Sequence, residues 1–532
     1  MVSDDVRRFV EEFLRRRERA EGFDASRHSY YVPSVRRLFL QFLLTGHVVD
    51  LFYMSKEDVV TLGLLVSRDV YRIDPGFYVH AVKYARYLSL KKDAPLLALV
   101  SGVACGYDGE DLVRLLSTYT PRILVERFYN MFRYGTFPYR VEISRRRVRK
   151  LLARVIEEWE REGKLRWLAV KYPRSLRTLV RLVMDYVKID SEVYDFLFYK
   201  GRNVTDPLLK ARVMVREALR RREHGRAYEL IVEHGLPFSL ARPISYSLFD
   251  DRIFNIMSPY DIAMFCEALY RVARGERCMN PRVTVDGLVR AVERKGVKVP
   301  QWYIARTYIY TALRHGVDDP VAQAWAKVWS MKMVQTAEEL ERLGLGLERA
   351  SIILVLDGSA SMSPRERDLS RNILMQGLLC WVPFFRNVKS IVMFSGDAFY
   401  LEPDYVHRID RIFDLLERAP NDGTCVECGL ELALEEVKSG EYSHTVLITD
   451  EQANIISDVE YSEDHIASRV AEYCKLYIHN PQPYPAHVVR PRKNKIVPVY
   501  GRQAEDILVS VILDRLYELG EEEIIRLVEK TI

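Results

Sequence analysis

The sequence of 532 residues has few cysteines and no apolar run long enough to cross a bilayer. Its seven cysteines are an odd number with scattered spacing, which argues against a disulfide scaffold. Residues 1–20 lack the apolar stretch of a signal peptide. These absences lead us to expect a cytoplasmic protein that does not associate with membranes.

Signatures of common enzyme classes are also missing. No Gly-rich phosphate loop precedes a Lys, and no serine lies in a GxSxG motif with an evident His partner. Cys425 and Cys428 form a single CxxC, which is a weak signal for zinc or a redox centre without a second pair. A structural role is favoured because both fall where a helix should begin. These absences argue against the corresponding enzyme classes.

The charge is unevenly distributed along the chain. Residues 1–350 contain 60 Lys and Arg against 44 Asp and Glu, whereas residues 351–532 contain 19 against 30. The net charges are thus +16 and −11. This asymmetry indicates two domains with different partners, of which the basic one is the candidate for binding a polyanion.

Helical periodicity dominates the first part of the chain. Asp74 and Pro75 suit the N-cap and first turn of one helix, and Ser258 and Pro259 repeat the pattern before another. Many helices joined by short links predict stacked pairs. We assign an all-α, HEAT-like solenoid to residues 1–345.

After residue 345, apolar β-branched runs alternate with helical stretches. The predicted strands are 351–356, 390–394, 445–449, 475–479 and 496–500. This alternation predicts a doubly wound, Rossmann-like α/β domain over residues 346–532. Ser363 and Glu366 are predicted to form a capping box that opens the helix after the first strand.

Five oxygen-bearing side chains are predicted to meet at the carboxyl edge of this sheet. Asp357 ends the first strand, Ser359 and Ser361 follow on its loop, and Thr424 and Asp450 lie at equivalent places later in the chain. Two carboxylates and three hydroxyls suit a hard divalent cation that keeps open positions, as Mg²⁺ does. Asp, Gly and Ser are also turn residues, so ordinary turn chemistry is the alternative.

This set resembles the metal-ion-dependent adhesion site (MIDAS) of the von Willebrand A domain. That site has Asp-x-Ser-x-Ser, then a distant Thr, then a distant Asp after a later strand, and all five occur here in order. The resemblance implies that a divalent cation binds Asp357, Ser359, Ser361, Thr424 and Asp450, with an open position for a partner's carboxylate or phosphate.

The segment 144–181 is strongly basic, with 13 Lys or Arg and four acidic residues. Arg174, Arg177 and Arg181 share one face of a helix by their spacing. The residues predicted to contact RNA phosphates are Arg145, Arg146, Arg147, Lys171, Arg174, Arg177 and Arg181. A solvated surface is the alternative. Tyr172 is a candidate for base stacking, whereas core packing is favoured for Trp167.

A basic helical part followed by a von Willebrand A domain resembles the Ro autoantigen family, whose helical part is the TROVE domain. The similar segments are "IDPGFYVHAVKYARYLSLKKDAPLLALVSGVACG", "RWLAVKYPRSLRTLVRLV", "GLPFSLARP", "MSPYDIAMFCEALYRVAR" and "GVKVPQWYIARTYIYTAL". The family's Gly-Trp-Ser-His after the second segment is absent, and Arg177 stands near the place of its His.

The resemblance implies a helical ring and a role in RNA quality control without catalysis. It implies binding of small structured non-coding RNA and of single-stranded 3′ ends of misfolded RNA, an exoribonuclease as partner, and a monomeric protein. Two alternatives use the A domain without RNA. One is a metal-dependent protein adhesion or assembly module, and the other is an accessory subunit of a chelatase or ATPase.

Overall fold

The computed structural model divides the chain into two compact units. One comprises Met1–Leu248 with Leu519–Ile532, and the other comprises Phe249–Glu518. The residues that it describes are 35–45, 56–88, 93–135, 137–201, 203–276, 281–342, 347–366, 371–450, 462–481, 495–500, 507, 511, 514, 515 and 518–530. Within these ranges, no helix is both long and apolar enough to cross a membrane.

The described part of the first unit consists of helices and their connections. The α-helices are Val35–Thr45, Lys56–Ile73, Pro75–Leu88, Asp93–Ala104, Glu110–Ser117, Pro121–Ile123, Asn130–Tyr134, Arg145–Arg161, Leu165–Lys171, Pro173–Val183, Ser191–Phe198, Pro207–Arg220, His224–Glu233 and Glu521–Lys530, with one π-helix, Leu124–Tyr129. Sequential helices pack as neighbours, for example Pro207–Arg220 on His224–Glu233. The predicted cap at Asp74 is confirmed, because its Oδ1 accepts from Phe77 N at 3.0 Å.

The second unit begins with further helices and continues into an α/β fold. Its α-helices are Ile253–Ile256, Pro259–Ala273, Val285–Lys295, Gln301–His315, Pro320–Arg342, Ile373–Trp381, Asp404–His407, Ile412–Arg418, Val426–Val437 and Ser462–Tyr473. Ser258 is the N-cap of the helix Pro259–Ala273, as the sequence indicated, and it forms a full capping box with Asp261.

The change in secondary structure near residue 345 does not coincide with the division into units. Helices before it pack on the α/β part: Trp329 Nε1 donates to the carbonyl of His407 at 3.2 Å. The Tyr308 and Phe413 rings lie 6.4 Å apart. The helices between Ile253 and Arg342 therefore belong to the second unit together with the α/β part.

The six strands of the sheet are β1 Ile352–Asp357, β2 Val388–Phe394, β3 Ala398–Leu401, β4 His444–Ile448, β5 Lys475–Asn480 and β6 Ile496–Tyr500. They are ordered β3-β2-β1-β4-β5-β6, and all neighbours are parallel except the antiparallel edge strand β3. Five strands match the predicted runs. The antiparallel edge strand β3 was not predicted: it has only four residues, and these are partly exposed.

The helix after β1 starts later than the sequence indicated. Ser363 is not an N-cap: its backbone is left-handed, with φ of 49°. Asn372 caps the helix Ile373–Trp381 instead, and its side chain accepts from Met375 N at 2.8 Å. The predicted capping box at Ser363 and Glu366 is therefore wrong, because the chain makes a turn there.

A glycine allows the helix Val426–Val437 to lie close against the sheet. A Cβ at Gly429 would lie 2.5 Å from Phe394 Cδ1 and 3.1 Å from Val355 Cγ1. Both neighbours are fully buried in the core between helix and sheet. The close approach fixes the start of this helix, and the loop before it, at the carboxyl edge of the sheet.

Burial of His444 at the start of β4 makes stability depend on pH. Its ring stacks on Tyr477 with centroids 5.7 Å apart. Burial, followed by the charge of nearby Lys475, lowers the pKa of His444 to about 4, against a smaller opposing effect of Glu518. The folded state therefore binds fewer protons than the unfolded chain between about pH 4 and 6.5.

The stabilising contribution of neutral His444 is expected to be complete above about pH 6.5 and to disappear as the pH falls toward 4. The loss should be on the order of 2 kcal/mol, after allowance for partial exposure of the ring. The His444→Phe variant keeps the ring but does not titrate, so its free energy of unfolding should fall less between pH 6.5 and 4.5. The free energy of unfolding of each protein is measured by urea titration at both pH values. An equal fall for the two proteins would contradict this prediction.

Candidate functional sites

Four of the five predicted metal ligands meet at the carboxyl edge of the sheet, where β1 and β4 lie side by side. Ser359 Oγ lies 3.0 Å from Ser361 Oγ. Ser361 Oγ in turn donates to Asp450 Oδ1 at 3.3 Å. Asp357 Oδ1 accepts from the backbone N of Ser359 at 3.0 Å. We call Asp357, Ser359, Ser361 and Asp450 the oxygen cluster.

Asp357 is the most deeply placed member of the oxygen cluster. Its side chain is fully buried, and its Oδ2 accepts from Thr449 Oγ1 at 2.7 Å. No described Lys or Arg forms an ion pair with it. Burial raises the pKa of Asp357 to about 6, hydrogen bonds from Ser359 and Thr449 oppose this, and the charge of Asp450 adds to it.

Thr424 is the predicted ligand that the structure does not bring into this contact. Its side chain forms no hydrogen bond with the described members of the oxygen cluster, although its loop lies beside theirs. Ala360 N donates to the carbonyl of Asp422 at 3.1 Å, and Asn421 N donates to that of Gly358 at 2.9 Å. The loop is therefore adjacent to the cluster, and Thr424 is partly exposed.

Two polar residues next to the oxygen cluster, Ser395 and Asp422, were not predicted from the sequence. Ser395 follows β2 directly, is fully buried, and donates from Oγ to Asp422 Oδ1 and, at 2.7 Å, to the carbonyl of Gly423. Bonds from Ser395 and Gly396 N lower the pKa of Asp422. The strand-end rule that found Asp357 would also have found Ser395. These bonds hold the 421–425 loop against the sheet.

The donor set of the oxygen cluster fits a hard divalent cation. It presents two nearly fully buried carboxylates, those of Asp357 and Asp450, linked by two hydroxyls. The buried carboxylate of Asp357 accepts from neutral donors, Ser359 N and Thr449 Oγ1, and its charge is costly to bury unless a cation neutralises it. No group of three or more His, Cys, Asp or Glu side chains suited to a metal lies in the described ranges. Any metal here would thus depend on hydroxyl ligands.

The CxxC motif lies at the start of a helix, as the sequence predicted. Cys425 and Cys428 are joined by a disulfide. Cys425 is also the N-cap of the helix Val426–Val437, where its sulfur accepts from Cys428 N at 3.2 Å. The position at a helix start agrees with the structural interpretation that the sequence favoured.

The predicted basic residues lie on three packed helices of the first unit, Arg145–Arg161, Leu165–Lys171 and Pro173–Val183. The exposed ones are Arg145, Arg146, Arg147, Lys171, Arg174 and Arg181, whereas Arg177 is partly buried. None of the seven forms an ion pair with a described acid. The positive charge of this surface is therefore not neutralised by its neighbours.

The apolar face of the helix Pro173–Val183 explains why Arg174 and Arg181 are exposed. Leu176, Leu179, Val180 and Val183 are fully buried. Three- and four-residue spacing places the arginines on the remaining surface. Arg145 at the start of its own helix donates instead to the carbonyls of Phe132 and Arg133, at 3.3 and 3.2 Å.

Trp167 is not a core residue, contrary to the expectation. It is 41% exposed. The Lys171 ammonium lies 4.4 Å from the Trp167 ring centroid and 5.4 Å from that of the partly buried Tyr172. Leu165, Ala169 and Val170 provide the buried face of this short helix instead. We call Trp167, Lys171, Tyr172 and Arg174 the cation–aromatic surface.

Comparisons with known proteins establish the fold. No protein-family model matches the chain, and no curated protein matches it. Its structure is similar to that of the Ro (RSR) protein of Deinococcus radiodurans. The TM-score is 0.59 at 14% sequence identity, and the match covers 91% of this chain and 99% of that one. The predicted helical solenoid with an α/β domain of von Willebrand A type is thus confirmed, and ring closure stays a prediction.

Proposed function

We propose that this chain is an RNA-binding protein of the Ro type. The observation that carries the proposal is the cation–aromatic surface, where an exposed ring lies beside cations that form no ion pair with any acid in the described ranges. Cations attract the phosphate backbone, and an exposed indole can stack on an unpaired base. The similarity of the whole fold to a Ro protein supports the same assignment.

The proposed ligands are small structured non-coding RNA and the single-stranded 3′ ends of misfolded RNA, in RNA quality control. Single strands fit best, since base stacking on Trp167 requires unpaired bases. The protein would act in the cytoplasm as a monomeric binding scaffold, not as an enzyme, and would present RNA to an exoribonuclease. Phosphates held by exposed Lys and Arg make the affinity largely electrostatic, so it should fall as salt rises.

The oxygen cluster is proposed to bind Mg²⁺ in the α/β part. Asp357, Ser359, Ser361 and Asp450 would hold the ion, and Thr424 would join through its adjacent loop. The bound cation would supply a Lewis-acidic position for a partner's carboxylate or phosphate. The chain's own contribution is to bury Asp357 and to hold the serine hydroxyls in place through Asp357 and Asp450.

A second candidate function rests on the oxygen cluster alone. In that function the metal captures an acidic protein partner, and the helices serve only as a scaffold. The observation that favours it is that the members of the oxygen cluster are linked by hydrogen bonds to one another. The cluster is thus formed by residues of the α/β part alone.

RNA carried by the purified protein distinguishes the two functions. We expect the protein purified from its native source to show an excess of absorbance at 260 nm and to yield RNA on extraction. A labelled single-stranded RNA should bind with an affinity that decreases linearly on a log–log plot against salt. A protein free of nucleic acid that fails to bind this RNA, and loses protein partners on Asp357→Ala, would instead support the adhesion function.

A further inference from the structure

Arginines of two different helices of the first unit come together at a place that the sequence did not reveal. Arg212 and Arg216 lie one turn apart on the helix Pro207–Arg220, with Arg220 on the next turn. Arg177, on the helix Pro173–Val183, is close enough for its charge to affect Arg216. We call Arg177, Arg212 and Arg216 the arginine cluster.

All three members of the arginine cluster have an unsatisfied buried donor. The Nε–H of each is buried and forms no hydrogen bond with the described part of the protein. None of the three forms an ion pair with a described acid. A buried donor without an acceptor costs roughly 1 to 3 kcal/mol, and more when it is charged, so three such donors at one place call for an explanation.

Electrostatics at the arginine cluster favour an added anion. Burial lowers the pKa of Arg212, and the charge of Arg216 lowers it further. Burial also lowers the pKa of Arg216, followed by repulsion from Arg220 and Arg177; the exposed Glu217 only partly opposes this. Like charges thus face one another with little compensation from the protein.

One backbone contact already orients Arg216. Its Nη2 donates to the carbonyl of Lys200 at 2.6 Å. Lys200 and Gly201 both have positive φ, of 68° and 72°, so the chain turns sharply there. The guanidinium of Arg216 is therefore held in place before any ligand binds, while its buried Nε–H stays available.

We propose that the arginine cluster is a phosphate-binding site, and that a phosphate of bound RNA occupies it. A guanidinium offers its Nε–H and a neighbouring N–H in parallel, which matches two oxygens of a phosphate. Each of the two unesterified oxygens of an RNA phosphodiester can accept from more than one N–H, so one phosphate can contact several guanidinium groups. The RNA source rests on the proposed function, whereas free inorganic phosphate shares the same chemistry.

The Arg212→Met variant removes one charge and keeps much of the side-chain volume. Arg226→Met is the matched control: Arg226 is exposed in the same unit, and its Nη1 lies 3.3 Å from Glu223 Oε2. At equal ionic strength, inorganic phosphate in place of chloride should raise the melting temperature of the wild type and of Arg226→Met, but not of Arg212→Met. In chloride, Arg212→Met should melt no lower than the wild type, because it loses repulsion and a buried unsatisfied donor.

RNA binding tests the source of the phosphate. Arg212→Met should bind single-stranded RNA roughly 10- to 100-fold more weakly, as expected for loss of a charged hydrogen bond. Its salt slope should decrease by about 0.7, the value for one phosphate contact on a single strand. Arg226→Met should stay close to the wild type in both measurements.

The outcomes separate this site from the proposed function. A phosphate-dependent melting shift that Arg212→Met abolishes, in a protein that binds no RNA, would support the phosphate site and overturn the RNA function. If Arg212→Met melts lower in both salts and binds RNA like the wild type, the arginines are structural and the phosphate site is overturned. An equal phosphate shift in wild type and Arg212→Met also overturns it.

Discussion

Alanine at Lys171, Arg174 and Arg177 together is expected to weaken the binding of single-stranded RNA on the order of 100-fold, at about 1 kcal/mol for each lost contact. None of these cations forms an ion pair with a described acid, so their removal leaves no carboxylate unpaired. Three lost phosphate contacts should also reduce the salt slope by about 2. Fluorescence anisotropy across a salt series measures both quantities.

The control for this variant removes the same amount of charge from elsewhere on the same unit. Arg122, Arg161 and Arg226 are exposed, and each pairs with an acid within one turn of its own helix or helix start. Alanine at these three should leave the RNA affinity and its salt slope near the wild-type values. Equal losses in both triple variants would show that net charge, not this surface, holds the RNA.

The site in the α/β part was largely predictable because it follows from sheet topology. Parallel strands present their carboxyl ends at one edge, so Asp357 after β1 and Asp450 after β4 had to lie near each other once the strands were assigned. The DxSxS spacing then placed both serines on the same loop. Side-chain contacts do not follow from topology, which is why the absence of a hydrogen bond between Thr424 and the described oxygen cluster was not predicted.

The basic part was less predictable because its important contacts join different helices. Periodicity identified the outward face of the helix Pro173–Val183 correctly, since burial of its leucines and valines fixes that face. The four-residue spacing of Arg212 and Arg216 was visible in the sequence. Their meeting with Arg177 was not, because it depends on how two helices pack. Burial of Trp167 was wrong for a related reason: a helix of seven residues buries only a narrow face.

Asp357→Asn is expected to abolish the response of the protein to Mg²⁺. If the oxygen cluster binds the ion, the wild type should melt at a higher temperature in Mg²⁺ than in EDTA. The free energy of unfolding should increase by about 2.7 kcal/mol when the Mg²⁺ concentration is 100 times its dissociation constant. An amide cannot replace the carboxylate charge that holds a hard cation, so the variant should melt equally in both.

In EDTA the same variant should be as stable as the wild type or more stable, by on the order of 1 kcal/mol, because a buried charge is replaced by a neutral group of the same shape. This distinguishes loss of metal binding from loss of folding.

Asp422→Asn is the control. Asp422 is exposed and bonds to Ser395 and Gly396 outside the oxygen cluster, so its variant should keep the Mg²⁺ response. If the wild type melts at the same temperature in Mg²⁺ and in EDTA, the four linked side chains stabilise their loops as ordinary turn residues and do not bind the ion. The hydroxyls of Ser359 and Ser361 would then serve only to satisfy the buried Asp357 and Asp450.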